Sequence, residues 1–129
     1  AVDEIVRMAS PVIHFRRTAT ADGVRLGNHE FNAGDKLVLW YASANRDETA
    51  IDRANEFLID RSDVRRHLSF GWGAHFCMGS RLAEMQLRIL WEEIMKRFSL
   101  VEVVGEPVRV RSNFVKGFTE LSVRLHPLP

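Results

Sequence analysis

The chain has 129 residues, enough for one modest hydrophobic core, and its 18 Lys+Arg nearly balance 17 Asp+Glu. That balance offers no basic face for nucleic acid or an anionic membrane, and no apolar run reaches the roughly 20 residues of a membrane span. The single cysteine, Cys77, excludes an internal disulfide framework and fits a reducing cytoplasm, and no charged-then-apolar signal segment opens the chain.

Val2, Ile5, Val6 and Ala9 share one helical face, so residues 1–9 read as a helix end stopped before Pro11. Glu4 and Arg7 stand one turn apart on it, which by spacing alone is an exposed ion pair worth roughly 0.2–0.5 kcal/mol. Val12 to Ala19 alternates loosely, as a strand does, and carries Arg16 and Arg17. Ala21-Asp22-Gly23 and Gly27-Asn28 bracket a short strand at Val24–Leu26, the pattern of a hairpin. Ala33-Gly34-Asp35 turns the chain into the apolar run Leu37–Ala44. Residues 45–69 then show no sustained period and many charges. So long an aperiodic stretch in a compact protein is functional or disordered.

Next comes Phe70-Gly71-Trp72-Gly73-Ala74-His75-Phe76-Cys77-Met78-Gly79, followed by an amphipathic run from Ser80 to Phe98. A thiol at a helix N-terminus sits among unpaired N–H groups and the positive end of the macrodipole, which favour the metal-ligating thiolate. Glycines let the backbone bend sharply and approach a flat partner. The competing readings are weaker. A lone cysteine is ordinarily a small buried hydrophobe, and zinc needs about four ligands, whereas His75-x-Cys77 has no second close pair. Leu82, Met85, Gln86, Ile89, Trp91 and Ile94 trace the helix, expected over about Met78 to Arg97. Its apolar residues spread wider than one stripe, so it expects several neighbours. After Leu100, Val/Leu-rich pieces split by Gly105-Glu106-Pro107 and Lys116-Gly117 predict short strands and a hairpin.

The spacing Phe-x-x-Gly-x-x-x-Cys-x-Gly, with His75 two residues before Cys77, resembles the haem-ligand loop of the cytochrome P-450 monooxygenases. The resemblance covers essentially the whole chain but only the last third of a typical member. The Ala-Gly-x-Asp/Glu-Thr motif of that family's oxygen-activating helix is not among these residues. Residues 1–129 are therefore expected to be the C-terminal portion of one haem domain, with the upstream part missing. The implied fold is mainly α with small β-sheets: helix end, strands and hairpin, long meander, cysteine loop, long helix, C-terminal hairpin.

The same resemblance assigns roles residue by residue. Cys77 becomes the iron ligand of haem b, the metal and catalytic position. Phe70, Gly71, His75, Met78, Gly79 and Ala83 contact the cofactor, with backbone N–H groups of Met78 and Gly79 bonding the sulfur at a tight turn that Gly79 permits. Arg17 and His75 meet the haem propionates. Ile13, and Phe114 and Val115 at the tip of the C-terminal hairpin, face the substrate. Glu4 and Arg7 match the family's Glu-x-x-Arg helix, whose buried charge network holds the meander. The family adds a third Arg just before an aromatic residue, but here Glu56 precedes Phe57, leaving Arg53 and Arg61 as candidates. His14 and His67 read as packing or hydrogen-bonded residues and His29 as surface.

Arg65, Arg66, Trp72 and Arg81 would form a face for an acidic electron donor, a ferredoxin served by its NAD(P)H-dependent reductase. The parent is expected to be a soluble cytoplasmic enzyme that hydroxylates an apolar substrate with O2. Phe15-Arg16-Arg17-Thr18-Ala19, Asn45-Arg46-Asp47 and the Leu82–Glu93 stretch resemble most the bacterial alkane terminal hydroxylases, with terpene hydroxylases the alternative. A non-catalytic haem-binding module is the alternative of another class.

Overall fold

Val2–Ala9 forms helix α1 in a computed structural model that describes all 129 residues. The helix stops at Ser10, whose backbone is left-handed (φ 41°, ψ 61°) and whose N–H bonds back to Val6 O at 3.0 Å. A serine tolerates that conformation here because its Oγ also donates to Arg7 O at 2.7 Å. Pro11 follows, with no N–H to continue the helix.

Strand β1 (His14–Thr18) then pairs antiparallel with β4 (Lys36–Trp40), His14 opposite Trp40 and Arg17 opposite Leu37. Between them, β2 (Val24–Leu26) and β3 (His29–Phe31) form the expected hairpin. Its turn residue Gly27 and the preceding Gly23 have φ values of 58° and 72°, a region glycine enters without steric cost. The apolar run from Leu37 does not stay extended throughout: Tyr41–Ala44 closes into the single turn α2. Residues 45–69 are a chain of turns with a short 3-10 segment at Val64–Arg66. Their order comes from hydrogen bonds to other segments, which is why no local period announced it.

Helix α3 covers Ser80–Met95. The sequence reading carried it to Arg97 or Phe98, and that boundary is corrected. Arg97 N–H bonds to Ile94 O at 3.0 Å, tightening the last turn, and Phe98 opens β5 (Phe98–Val103). The competing interaction is long-range: β5 pairs antiparallel with β8 (Val123–Pro127), Phe98 opposite Pro127. Inside that pair sits the smaller hairpin of β6 (Val108–Arg109) and β7 (Phe118–Glu120).

The buried core is small and unusually polar. Glu4, Arg7, Ser10, Asn45, Ser69 and Ser80 are buried beside Val6, Tyr41, Ile51 and Ala54. Of α3 only Ser80 is buried, while Leu82, Met85, Ile89, Leu90 and Met95 are exposed. The apolar circumference read from the sequence thus meets few neighbours within these residues. No helix is long and apolar enough to cross a membrane.

Candidate functional site

The site is built on a charge network at the start of the chain. Arg7 makes a two-pronged pair with Glu4, Nε to Oε2 at 2.8 Å and Nη2 to Oε1 at 2.7 Å, both side chains out of solvent. Its remaining N–H groups donate to Asn45 O (2.6 Å), Ala54 O (2.7 Å) and Glu56 O (3.0 Å). All five guanidinium donors are engaged, as burial of that group demands. The exposed-pair reading of Glu4 and Arg7 does not apply.

The third cation is Arg61. Its Nε lies 3.2 Å from Glu4 Oε2, and its other nitrogens donate to the carbonyls of Asp52, Arg53 and Glu56. Arg53, the other candidate, is exposed and pairs with Asp52 and Glu56 instead. The Glu4 carboxyl is pushed down to about 2, first by the Arg7 hydrogen bond, with Leu58 N–H and Arg61 adding to it against the opposing effect of burial.

The network reaches the cysteine loop through residues 67–71. Leu68 N–H donates to Asn45 Oδ1 (2.6 Å), and Ser69 Oγ donates to Val6 O (2.8 Å). Cys77 N–H then donates to Phe70 O at 2.8 Å, closing the loop on itself. Gly71 and Gly73 have φ values of 74° and 71°, so they carry the sharp bends. A side chain at Gly71 would also press within 3.4 Å of the Tyr41 hydroxyl. Gly79 differs from expectation: its φ of −86° and ψ of 0° are open to any residue. No hydrogen bond to Cys77 Sγ forms, contrary to expectation, yet the N–H groups of Met78 and Gly79 have no protein acceptor. They lie just ahead of the first turn of α3, Gly79 at its N-cap. Ser80 N–H closes a tight turn onto Cys77 O, and the helical ladder begins with Ala83 N–H on Gly79 O.

Cys77, His75 and Arg17 line one cavity of about 460 Å³, with Phe15, Tyr41, Phe70, Gly71, Val12, Pro11 and Ser69. Strand alternation puts Phe15 and Arg17 on the same face of β1, and Arg17 lies 5.5 Å from the Phe15 ring centre. Arg17 has no carboxylate partner; its only side-chain bond is to Arg16 O at 3.0 Å. A thiol, an imidazole and an unpaired guanidinium around an apolar cavity fit a flat apolar cofactor with anionic edge groups and a metal that takes a soft ligand. Nowhere do three or more His, Cys, Asp or Glu side chains converge.

Other predicted residues fall beside the cavity. Ile13, Phe114 and Val115 are brought together: Ile13 N–H donates to Phe114 O at 2.9 Å, and Val115 bridges to Val12. They do not line the cavity themselves, although the Phe114 ring packs edge-on to Phe15 at 5.6 Å. Ala83 lies in the first turn of α3, its N–H on Gly79 O, and the Met78 side chain is fully exposed. His14 packs between Trp40 and Phe114, its Nδ1 buried without a partner. His67 is buried against Phe70, accepts Ser69 N–H, and has its pKa lowered chiefly by that burial. His29 is on the surface. Arg65, Arg66, Trp72 and Arg81 are exposed. Sequence reasoning missed Tyr41 and Phe15 as cavity lining and Asn45, Ser10 and Ser69 as network members. For Phe15 the alternation with Arg17 was the available signal.

This arrangement of charged helix, meander, cysteine loop and small sheets has relatives. The family described as Cytochrome P450 matches residues 1–123, and the chain belongs to it; the cofactor of that family is haem b. Linalool 8-monooxygenase of Pseudomonas putida is 48% identical over 127 residues, 98% of this chain and 31% of that protein. A methyl-branched lipid omega-hydroxylase of Mycobacterium bovis is 44% identical, over 95% of this chain and 28% of its own length. Among solved structures, Cytochrome P450-153 from Novosphingobium aromaticivorans superposes with a TM-score of 0.89 at 52% identity. That match covers 96% of this chain and 31% of the other. The chain thus spans about a third of the length of the relatives it matches.

Proposed function

We propose that these residues are the cofactor-binding part of a haem-thiolate monooxygenase, with Cys77 as the iron ligand. The observation carrying this reading is the single cavity shared by Cys77, His75 and Arg17. When bound there, haem b would supply the iron at which O2 is activated, and a cysteine thiolate ligand favours O–O cleavage. Cys77 immediately precedes the start of α3, beside the N–H groups of Met78 and Gly79, which have no protein acceptor. Arg17 and His75 would hold the anionic edge groups, with Phe70, Gly71 and Ala83 toward the cofactor. Ile13, Phe114 and Val115 would shape an apolar substrate space, with Phe15 linking it to the cavity.

The overall reaction is insertion of one oxygen atom of O2 into a C–H bond and release of the other as water, with electrons delivered by a ferredoxin and its NAD(P)H-dependent reductase. The exposed cations Arg65, Arg66 and Arg81 around Trp72 would steer that acidic partner. A terminal carbon of an alkane or fatty-acid-like chain is the favoured position; the omega-hydroxylase relative supports it. The linalool relative favours the second reading, a terpene hydroxylase. The exposed apolar side of α3 would be covered by the rest of such an enzyme, so residues 1–129 expressed alone should associate and show no hydroxylation.

The test is turnover by the complete protein with a ferredoxin, its reductase and NAD(P)H. Linear alkanes, fatty acids and linalool are offered in competition. A terminal alcohol from the linear chains supports the first reading and preferential linalool oxidation the second. A thiolate-ligated protein that oxidises none of them under efficient reduction would favour a non-catalytic haem module.

A further inference from the structure

We propose that Asn45 is a positioning residue that sets the Cys77 loop on helix α1, and this rests on the haem-thiolate reading above. Asn45 is fully buried, and its amide is engaged on every side. Nδ2 donates to Ser10 Oγ at 2.9 Å and to Ser69 Oγ at 2.8 Å, while Oδ1 accepts Leu68 N–H at 2.6 Å. Its own carbonyl accepts Arg7 Nη1 at 2.6 Å. One residue therefore touches the charge pair, the end of α1 and the entry to the cysteine loop.

The direction of these bonds fixes the residue type. Ser10 Oγ already donates its proton to Arg7 O, and Ser69 Oγ donates its proton to Val6 O. Both hydroxyls can only accept from position 45, so that side chain must bring two donors, and it must accept from Leu68 as well. Only an amide of this length does both. An aspartate of the same shape would set oxygen against two committed hydroxyl oxygens. Relief would require the hydroxyls to turn, stripping the buried Arg7 carbonyl of its Ser10 donor and leaving Val6 O with the Ser10 N–H alone.

What the amide holds is the base of the loop. Leu68 is pinned by its N–H and Ser69 by its hydroxyl, while Leu68 O accepts Gly71 N–H at 2.8 Å. Two residues on, Phe70 O accepts Cys77 N–H at 2.8 Å. Loss of the amide would free the strut against which Cys77 is held, without touching the thiol, the cavity cations or the substrate residues.

Asn45→Asp in the complete haem-loaded protein tests this. The reduced CO complex reports how much iron keeps thiolate ligation as mild denaturant is added. The thiolate to non-thiolate ratio should fall roughly tenfold or more, the scale of one buried group left unpaired. Asp47→Asn, an exposed site two residues on, should leave the ratio unchanged. If Asn45→Asp does not accumulate, Ser69→Ala removes the loop-side acceptor of Asn45, together with that hydroxyl's bond to Val6 O, and should give a smaller shift in the same direction, since Val6 O keeps the Ser10 N–H. A wild-type ratio in Asn45→Asp, or in Ser69→Ala where that variant stands in, overturns the proposal. If the unaltered protein shows no thiolate form, the haem-thiolate reading itself fails. Amide exchange at Leu68 then decides the positioning role: faster by roughly tenfold in the variant supports it, and unchanged exchange overturns it.

Discussion

Arg61 reaches Glu4 across 57 residues of sequence, its Nε 3.2 Å from Glu4 Oε2 and its side chain only 4% exposed. With Arg7 on the same carboxylate, one buried anion gathers two cations, from α1 and from the meander. Within residues 45–69 only Ile51 and Ala54 are buried apolar side chains, and this junction, with the carbonyls that Arg7 and Arg61 hold, ties the turns together.

Removing Glu4 leaves two buried cations unpaired, a loss of about 3–5 kcal/mol against almost nothing for an exposed pair, whereas removing Arg61 leaves Glu4 on Arg7 and frees the carbonyls of Asp52, Arg53 and Glu56, a smaller loss. Glu4→Ala and Arg61→Ala in the complete protein should each lower the melting temperature and yield little haem-loaded material. Arg53→Ala, at the exposed candidate position, should behave as wild type. Purified haem content and thermal melts measure both, and equal behaviour of Arg61→Ala and Arg53→Ala would contradict the assignment.

The sign of the pH dependence follows from His67. Its pKa is lowered from 6.5 chiefly by burial, Asp3 and Glu84 opposing the shift and Arg7 adding to it. The unfolded chain therefore takes up a proton that the folded one resists, so the stabilisation is complete above about 6.5 and is lost as pH falls through the lowered value. Glu4, held at about 2, adds a second loss on the acid side of its ordinary 4.5. Denaturant titrations of the complete protein between pH 5 and 7 should show stability declining toward acid. His67→Gln should flatten that decline and leave the loss below pH 4.5 in place.

Much of this was legible in residues, and the limits are instructive. The face shared by Val2, Ile5, Val6 and Ala9 predicted α1, and the Phe70–Gly79 spacing located the cysteine loop. Phe98 was misplaced because helical period runs past the true end; its pairing with Pro127 lies in a distant segment. Choosing Arg61 over Arg53 needed the path of the meander, which only long-range hydrogen bonds define. Asn45, Ser10 and Ser69 carry no pattern at all, being small polar residues in three separate segments that become a network only once folded.

Arg17 brings a guanidinium and His75 an imidazole to the cavity. Arg17→Ala would leave anionic edge groups of the cofactor facing one cation fewer, while Cys77 is untouched. Haem transfer from the complete holoprotein to an apoprotein acceptor should be faster in this variant, with the thiolate spectrum retained. A transfer rate equal to wild type would remove Arg17 from the cofactor residues.

The central claim is ligation by Cys77, and the absorption spectrum of the reduced CO complex tests it most directly. The unaltered complete protein is predicted to give the spectrum of a thiolate-ligated haem. Cys77→His should bind haem yet lose that spectrum and nearly all hydroxylation. A thiolate spectrum that persisted in Cys77→His would contradict the account, because Cys77 is the only cysteine among these residues.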